Sequence, residues 1–443
     1  MTSGTNNSFS LNIYSRDLLV GSVTFSHLEK PVLEYSQEWL AEGFPLSPTL
    51  PLSGAFETNA IEIFLQNLFP EGESLDLLLS SQRISRSNIA AIIKAIGHDT
   101  AGALVFAQNK PDPSKSILRQ IKKSELVERL NTAKASELIF WDGKYRLSVA
   151  GVQNKLNVMI DHSGDYFLAD GVLSSTHILK FPIPHSPLIA VNEFFCMRLA
   201  KAVGLNVADV RLEKVGPHYM LVVRRFDRLF KDQLVKKAHT VDGCQVLNLP
   251  PSYKYEHNFG SSKDVAHIRN GANLNDLITF IKKYDISGLV DLFEWIIFNV
   301  IVGNSDAHGK NLSFVVTRNT YRLAPFYDII SVVHEAKQNT DLDTELAMAI
   351  GDNFDINSIT AYNFLDLCEQ NNIGLSFIKN RLGLIVRKIQ KTIKNNKLDL
   401  DGHESNNEVS FIFDQLTDLI LSRCEKMFKQ YEEFDAVKDS LFP

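Results

Sequence analysis

The 443-residue sequence predicts a mixed α/β fold in three sections, and three observations support this. The first hundred residues open with alternating apolar and polar positions. The middle carries short strand-like runs around one apolar helical stretch. Beyond about residue 235 the apolar residues recur mostly at helical spacing. A chain of this length is expected to hold two or three domains, and 44% apolar with 22% charged residues is ordinary for a globular protein.

Taken in order, residues 10–14 and 18–25 alternate as strands do, and residues 60–69 and 88–96 read as helices, the second closed by Gly97. They place a first section at 1–109. The segment 110–116 is polar with Pro111 and Pro113, as linkers are. In the second section, 117–230, runs 155–160 and 165–168 flank Asp161-His-Ser-Gly164 as a hairpin. Residues 192–203 read as a helix with the Asn192 amide as N-cap and Gly204 at its end. The third section, 235–443, is expected to be a helical lobe. Residues 292–302 are almost unbroken apolar, with Gly303 as the stop, and 312–317 and 321–327 flank a polar turn as a second hairpin.

Charge and composition exclude several classes. A formal net charge of −6 argues against a uniformly basic nucleic-acid binder, though not against a local basic patch. Cys196, Cys244, Cys368 and Cys424 lie far apart without metal-ligand spacing, so reduced thiols in a cytoplasmic protein are expected. The opening residues lack the charged and apolar regions of a secretory leader. The longest apolar stretch is about half a membrane span, so no membrane association is expected.

The chemistry concentrates in Asp306-Ala-His-Gly-Lys-Asn311, on the loop between the apolar helix and the second hairpin, and in Asp328 beyond that hairpin. An acid, an amide five positions on and a later acid is the order in which protein-kinase-like phosphotransferases present their groups. The first carboxylate can take the proton of an attacking hydroxyl. The amide oxygen and the second carboxylate can hold Mg²⁺ against ATP phosphates, because that cation prefers oxygen ligands. The competing reading is structural: Asp306 and Asn311 turn the loop, and Asp328 caps the next helix. Upstream, Ser148-Val-Ala-Gly-Val-Gln-Asn-Lys155 is a small-residue loop whose backbone amides can cradle phosphates, or an ordinary turn between strands. Lys180 sits in an apolar strand and would be satisfied either by ATP phosphates or by water at a sheet edge, with Glu193 as a candidate partner. The strand 219–223 runs into Arg224-Arg-Phe-Asp-Arg228, which is either a hinge that meets adenine or an ionic surface segment.

With these residues in place, the chain resembles the HipA serine/threonine kinases, toxins of bacterial type II toxin–antitoxin pairs. The matching stretches are Leu147-Ser-Val-Ala-Gly-Val-Gln-Asn-Lys155, His177-Ile-Leu-Lys180, Asn192-Glu193, Gly204-Leu-Asn-Val207, Arg225-Phe-Asp-Arg228, Lys254-Tyr-Glu256, Gly303-Asn-Ser-Asp-Ala-His-Gly-Lys-Asn311 and Pro325-Phe-Tyr-Asp-Ile-Ile-Ser331. Thr49-Leu-Pro-Leu-Ser53 and Asn67-Leu-Phe-Pro70 look like the accessory domain that precedes the core in that family.

The resemblance implies a two-lobed protein-kinase-like fold with an N-terminal accessory subdomain and an all-helical C-terminal lobe. It implies Asp306 as the catalytic acid and Asn311 and Asp328 as Mg²⁺ ligands. ATP would be held by Ala150, Gly151, Val152, Gln153, Asn154 and Lys155, by Lys180, by the hinge Arg224, Arg225 and Phe226, and by His308, Gly309, Lys310, Asn311 and Tyr327. Asn154 stands where many members carry an acid, which puts a salt bridge from that position in doubt. Ser148 matches an autophosphorylated serine. A phosphate there adds nearly two negative charges to a loop over ATP's own phosphates, and repulsion should eject it. The implied acceptor is a protein serine, such as that of a translation factor or an aminoacyl-tRNA synthetase. The implied partners are a helix-turn-helix antitoxin and, through it, operator DNA. A small-molecule phosphotransferase and a catalytically idle DNA-binding corepressor are the alternatives.

Residues 371–398 contain no Asp or Glu, while Lys379, Arg381, Arg387 and Lys391 lie largely opposite an apolar helical face. This is either a solvated surface or a set of phosphate-backbone contacts.

Overall fold

The computed structural model describes residues 8–442 except 27–29, 58, 133, 135–137, 147–153, 232–233, 340 and 396–397. The N-terminal alternation forms strands Phe9–Ser15 and Leu18–Phe25, which pair antiparallel as their turn dictates. Val32–Tyr35 and Leu104–Ala107 complete a four-stranded antiparallel sheet with these two at its centre. Gly21 is needed where it stands, because a Cβ would lie 2.1 Å from the Glu34 carbonyl oxygen on the neighbouring strand. Helices Ala60–Gln66 and Ile89–Ile96 follow, with Asn88 capping the second through its side chain.

The second sheet has six antiparallel strands in the order Val210–Val215, His218–Arg224, His177–Lys180, Lys155–Ile160, Tyr166–Ala169, Leu118–Ile121. The expected hairpin about residues 161–164 is present within it. One face packs Leu156, Val158, Leu179 and Val222 into a core around Trp141 and Phe181, and the Arg129 guanidinium lies 3.7 Å from the Trp141 ring centroid. Helix Ile189–Ala202 packs on the opposite face through Phe194, Phe195 and Leu199. That helix starts a turn earlier than expected, so Asn192 is not its cap. Its side chain is fully buried, donating to the Ser331 carbonyl at 3.1 Å and to Glu335 at 2.6 Å and accepting from Ser331 N at 3.0 Å. An amide satisfied by a distant segment leaves no local pattern to distinguish it from a cap.

The part beyond 235 is dominated by helices Leu274–Tyr284, Gly288–Val302, Ala361–Gln370, Leu375–Lys394 and Asn407–Leu441. It is not all-helical, which corrects the expectation. Thr240–Asp242, Ser313–Val316 and Tyr321–Leu323 form a three-stranded sheet, and Glu345–Ile350 pairs with Asn353–Asp355. Gly288–Val302 is apolar on nearly all sides because it runs through the core, and Gly303 ends it in the left-handed conformation at φ 77°. No helix among the described residues is long and apolar enough to cross a membrane.

Candidate active site

The apolar helix delivers the polar loop rigidly. Asn299 near the helix end accepts from the Asn304 amide at 2.8 Å, and Ala347 N donates to the Ser305 carbonyl at 2.8 Å. Within the loop, Asn311 Nδ2 donates to the Asp306 carbonyl at 2.9 Å, so the two residues are locked to each other. Asp306 Oδ1 accepts from the Tyr255 hydroxyl at 2.7 Å. Burial pushes the Asp306 carboxyl up to about 6, against the Tyr255 hydrogen bond and the Lys254 charge. His308 is buried edge-on to Tyr255, and burial drops its imidazole well below its ordinary range, so it is neutral at pH 7.

The hairpin returns the chain to this loop. Tyr327 donates to the Lys310 carbonyl at 2.7 Å and its ring tilts against Phe226 with centroids 5.7 Å apart. Asp328 adopts φ 60°, a strained conformation for an Asp that is often retained at functional sites. The next helix, Val332–Glu335, is capped by Ser331, so Asp328 is not a helix cap.

Lys180 reaches the loop from the opposite lobe. Its strand lies inside the six-stranded sheet, which removes the water-facing reading. Its ammonium pairs with Glu193 at 2.5 Å, the expected partner, and with Asp328. Burial opposes the charge on Lys180, but the two carboxylates outweigh it and hold the group protonated. Burial likewise opposes ionisation of Asp328, yet Lys180 and Lys155 keep it well below the usual carboxylate range. Lys155 stands opposite Lys180 in the strand register and is buried.

Other candidates are placed differently. The Arg225 guanidinium is buried against Asp227, Ser175 and the Thr100 carbonyl rather than facing the loop. Backbone N–H groups of Arg224 and Arg225 already donate to Asp209 and Thr176 carbonyls. Lys310 Nζ turns away from Asp306 to Asn67 and Asp242. Gly309 packs so tightly that a Cβ would lie 2.5 Å from the Ala272 Cβ. Ser148, Ala150, Gly151, Val152 and Gln153 lie outside the described residues, and the Asn154 carbonyl accepts from Phe181 N at 3.0 Å. In helix Leu375–Lys394, Lys379 pairs with Asp435 and Arg381 with Glu294 at 3.1 Å, while Arg387 and Lys391 are exposed. Sequence reasoning missed Tyr255 as a partner of Asp306. Its one signal is the stretch Lys254-Tyr-Glu256, which matches the family but carries no chemical role on its own.

Residues 147–396 match the HipA-like C-terminal domain and residues 11–107 the HipA N-terminal domain. The chain belongs to the HipA family. It is 39% identical to the serine/threonine-protein kinase toxin HipA of Shewanella oneidensis, over 95% of this chain and 96% of that one. It is 30% identical to a putative kinase of Sinorhizobium fredii, over 85% and 89% of the two chains. The HipA chain solved with HipB and operator DNA from Shewanella oneidensis superposes with a TM-score of 0.86 at 37% identity, covering 96% of this chain and 99% of that one. The loop carrying Asp306 and the strand carrying Lys180 both fall within the matched HipA C-terminal region.

Proposed function

We propose that this chain is a serine/threonine-protein kinase toxin that transfers the ATP γ-phosphate to a protein serine. The observation that carries this reading is the convergence of Asp306, Asn311 and Asp328 with the Lys180–Glu193 pair between the two lobes. Asp306 would accept the proton of the attacking hydroxyl. Its raised pKa makes it a better base than a surface carboxylate, and Tyr255 holds its orientation. Lys180 and Lys155 would meet the ATP phosphates, and the Phe226–Tyr327 pair offers an apolar wall to the nucleotide. The Asn311 side-chain oxygen and the Asp328 carboxylate fit Mg²⁺, being hard donors, one of them held ionised. The bound ion would neutralise charge developing on the transferred phosphoryl group. Asp328→Asn should abolish incorporation of radiolabelled phosphate, and near wild-type incorporation would overturn the metal assignment. HipA membership weighs against a small-molecule acceptor.

We further propose that Ser148 is autophosphorylated and that the added charge turns the enzyme off. Protein phosphorylated at Ser148 should bind Mg-ATP far more weakly than Ser148→Ala in calorimetry. Equal affinities would remove the autoinhibition.

The solved Shewanella complex supports pairing of this chain with a HipB-like antitoxin on operator DNA. Helix Leu375–Lys394 would add phosphate contacts through Arg387 and Lys391, since Lys379 and Arg381 are already engaged by acids. Replacing Arg387 and Lys391 by Gln should flatten the slope of log affinity against log salt by about 0.9 for each phosphate no longer neutralised. The same change at Lys379 and Arg381 should leave it unaltered. An unchanged slope in the first pair means that this face is solvated and the antitoxin alone holds the DNA.

A further inference from the structure

We infer that Glu71, from the N-terminal section, is a positioning residue for the loop 306–311, an inference that rests on the phosphotransfer reading of that loop. Glu71 occupies the N-cap of helix Gly72–Gln82, yet its side chain makes no cap hydrogen bond. The carboxylate reaches instead into the other part of the molecule, 2.7 Å from Lys254 Nζ and 4.0 Å from Lys310 Nζ. Lys310 belongs to the loop itself, and Lys254 holds it from outside, its carbonyl accepting from Gly309 N at 2.9 Å. One carboxylate therefore bridges two cations on either side of Gly309.

The surroundings make this bridge hard to replace. Lys310 is 2% exposed, and its remaining partners are the Asn67 carbonyl and amide oxygens at 3.0 Å and Asp242 at 2.6 Å. The same seam is closed by Asn67 Nδ2 donating to the Leu249 carbonyl at 2.9 Å and by Gln245 Nε2 donating to the Phe64 carbonyl at 3.2 Å. Two cations and two carboxylates balance there. Without Glu71 one buried ammonium loses its counter-charge, and such a charge seeks another partner. Lys254 lies over the ring of Tyr255, whose hydroxyl holds Asp306. Freed from Glu71, Lys254 would compete with Tyr255 for Asp306 and draw that carboxylate away from the acceptor hydroxyl. Lys180 and Lys155 would keep the ATP phosphates from the opposite lobe, and Asn311 keeps its own bond to the Asp306 carbonyl, so the loss should fall mainly on turnover rather than on nucleotide affinity.

The test uses the full-length chain as wild type, Glu71→Gln, Glu71→Ala, Glu71→Asp and, as a surface control, Asp76→Asn, whose residue pairs with exposed Arg86. Two readouts are taken: the rate of phosphate incorporation from radiolabelled ATP across an ATP titration, and hydrogen exchange at the Gly309 amide. The Gln and Ala variants should lose about tenfold or more in maximal rate, with half-saturating ATP within about twofold. Their Gly309 amide should exchange about tenfold faster. Glu71→Asp should recover part of both, and Asp76→Asn should change neither. Glu71→Gln keeps side-chain size and carries the test if Glu71→Ala does not fold. Wild-type rate in Glu71→Gln, a loss seen only as weaker ATP saturation, or unchanged Gly309 protection would each overturn the inference. Should wild type itself incorporate no phosphate, the functional reading fails, and the exchange measurement still decides whether Glu71 braces the loop.

Discussion

Asp306→Asn is expected to lower phosphate transfer by about 10²–10⁴-fold, the usual contribution of a positioned general base. The amide keeps the size of the side chain and can still meet the Tyr255 hydroxyl, so the loss isolates the proton acceptor. Stability should move the other way. The folded pKa, about 6, lies above that of an unfolded aspartate, because burial disfavours the charged form. Above pH 6 the carboxylate is ionised in both states and the folded state bears the desolvation, so removing the charge should stabilise by up to about 3 kcal/mol at neutral pH. That gain should disappear below about pH 4, where the wild-type carboxyl is protonated in both states. In wild type, kcat/KM should fall as the pH drops through about 6. Thermal unfolding from about pH 3 to 8 and initial rates from about pH 4.5 to 8 check both signs. An Asn variant that unfolds well below wild type would make Asp306 a structural residue of the loop.

Lys180→Met is expected to remove activity and to destabilise the fold together. Glu193 and Asp328 would face each other with their shared cation gone, and breaking a buried pair from one side costs about 3–5 kcal/mol. Adding Glu193→Gln should return much of that stability, since the most buried uncompensated carboxylate is then neutral. It should not return ATP binding, because the ammonium that would meet the phosphates is still missing. Urea midpoints and nucleotide calorimetry on the single and double variants separate the two effects. Recovery of both properties in the double variant would make Lys180 purely a structural counter-ion.

Much of this site was legible because its logic is local. The unbroken apolar run at 292–302, a glycine able to adopt the left-handed conformation and a polar loop before two short strands predict helix, stop, loop and hairpin by periodicity and turn chemistry alone. The close spacing of Asp306 and Asn311 likewise corresponds to a hydrogen bond within one loop. Asn192 shows the limit. An amide at a helix start and an amide buried mid-turn look alike when the partner is 143 positions away at Glu335. The helix at 375–394 shows another: its cationic face is opposite the apolar one, but which cations are free depends on Asp435 and Glu294, supplied by other helices.

By itself, then, the sequence determined the type of the most regular elements, though not every short strand of the C-terminal part, and it determined the order of the three acid and amide groups and the resemblance to HipA kinases. These rest on backbone preference, side-chain period and residue identity, all written along the chain. Only the tertiary structure decided that Lys180 lies inside a sheet and meets Asp328, 148 positions away, that Tyr255 holds Asp306, and that Lys310 turns to Asn67 and Asp242 instead of toward the acid of its own loop. The reason is electrostatic. A buried charge takes whichever opposite charge packing brings within reach, and packing joins segments whose distance along the chain carries no record of the pairing.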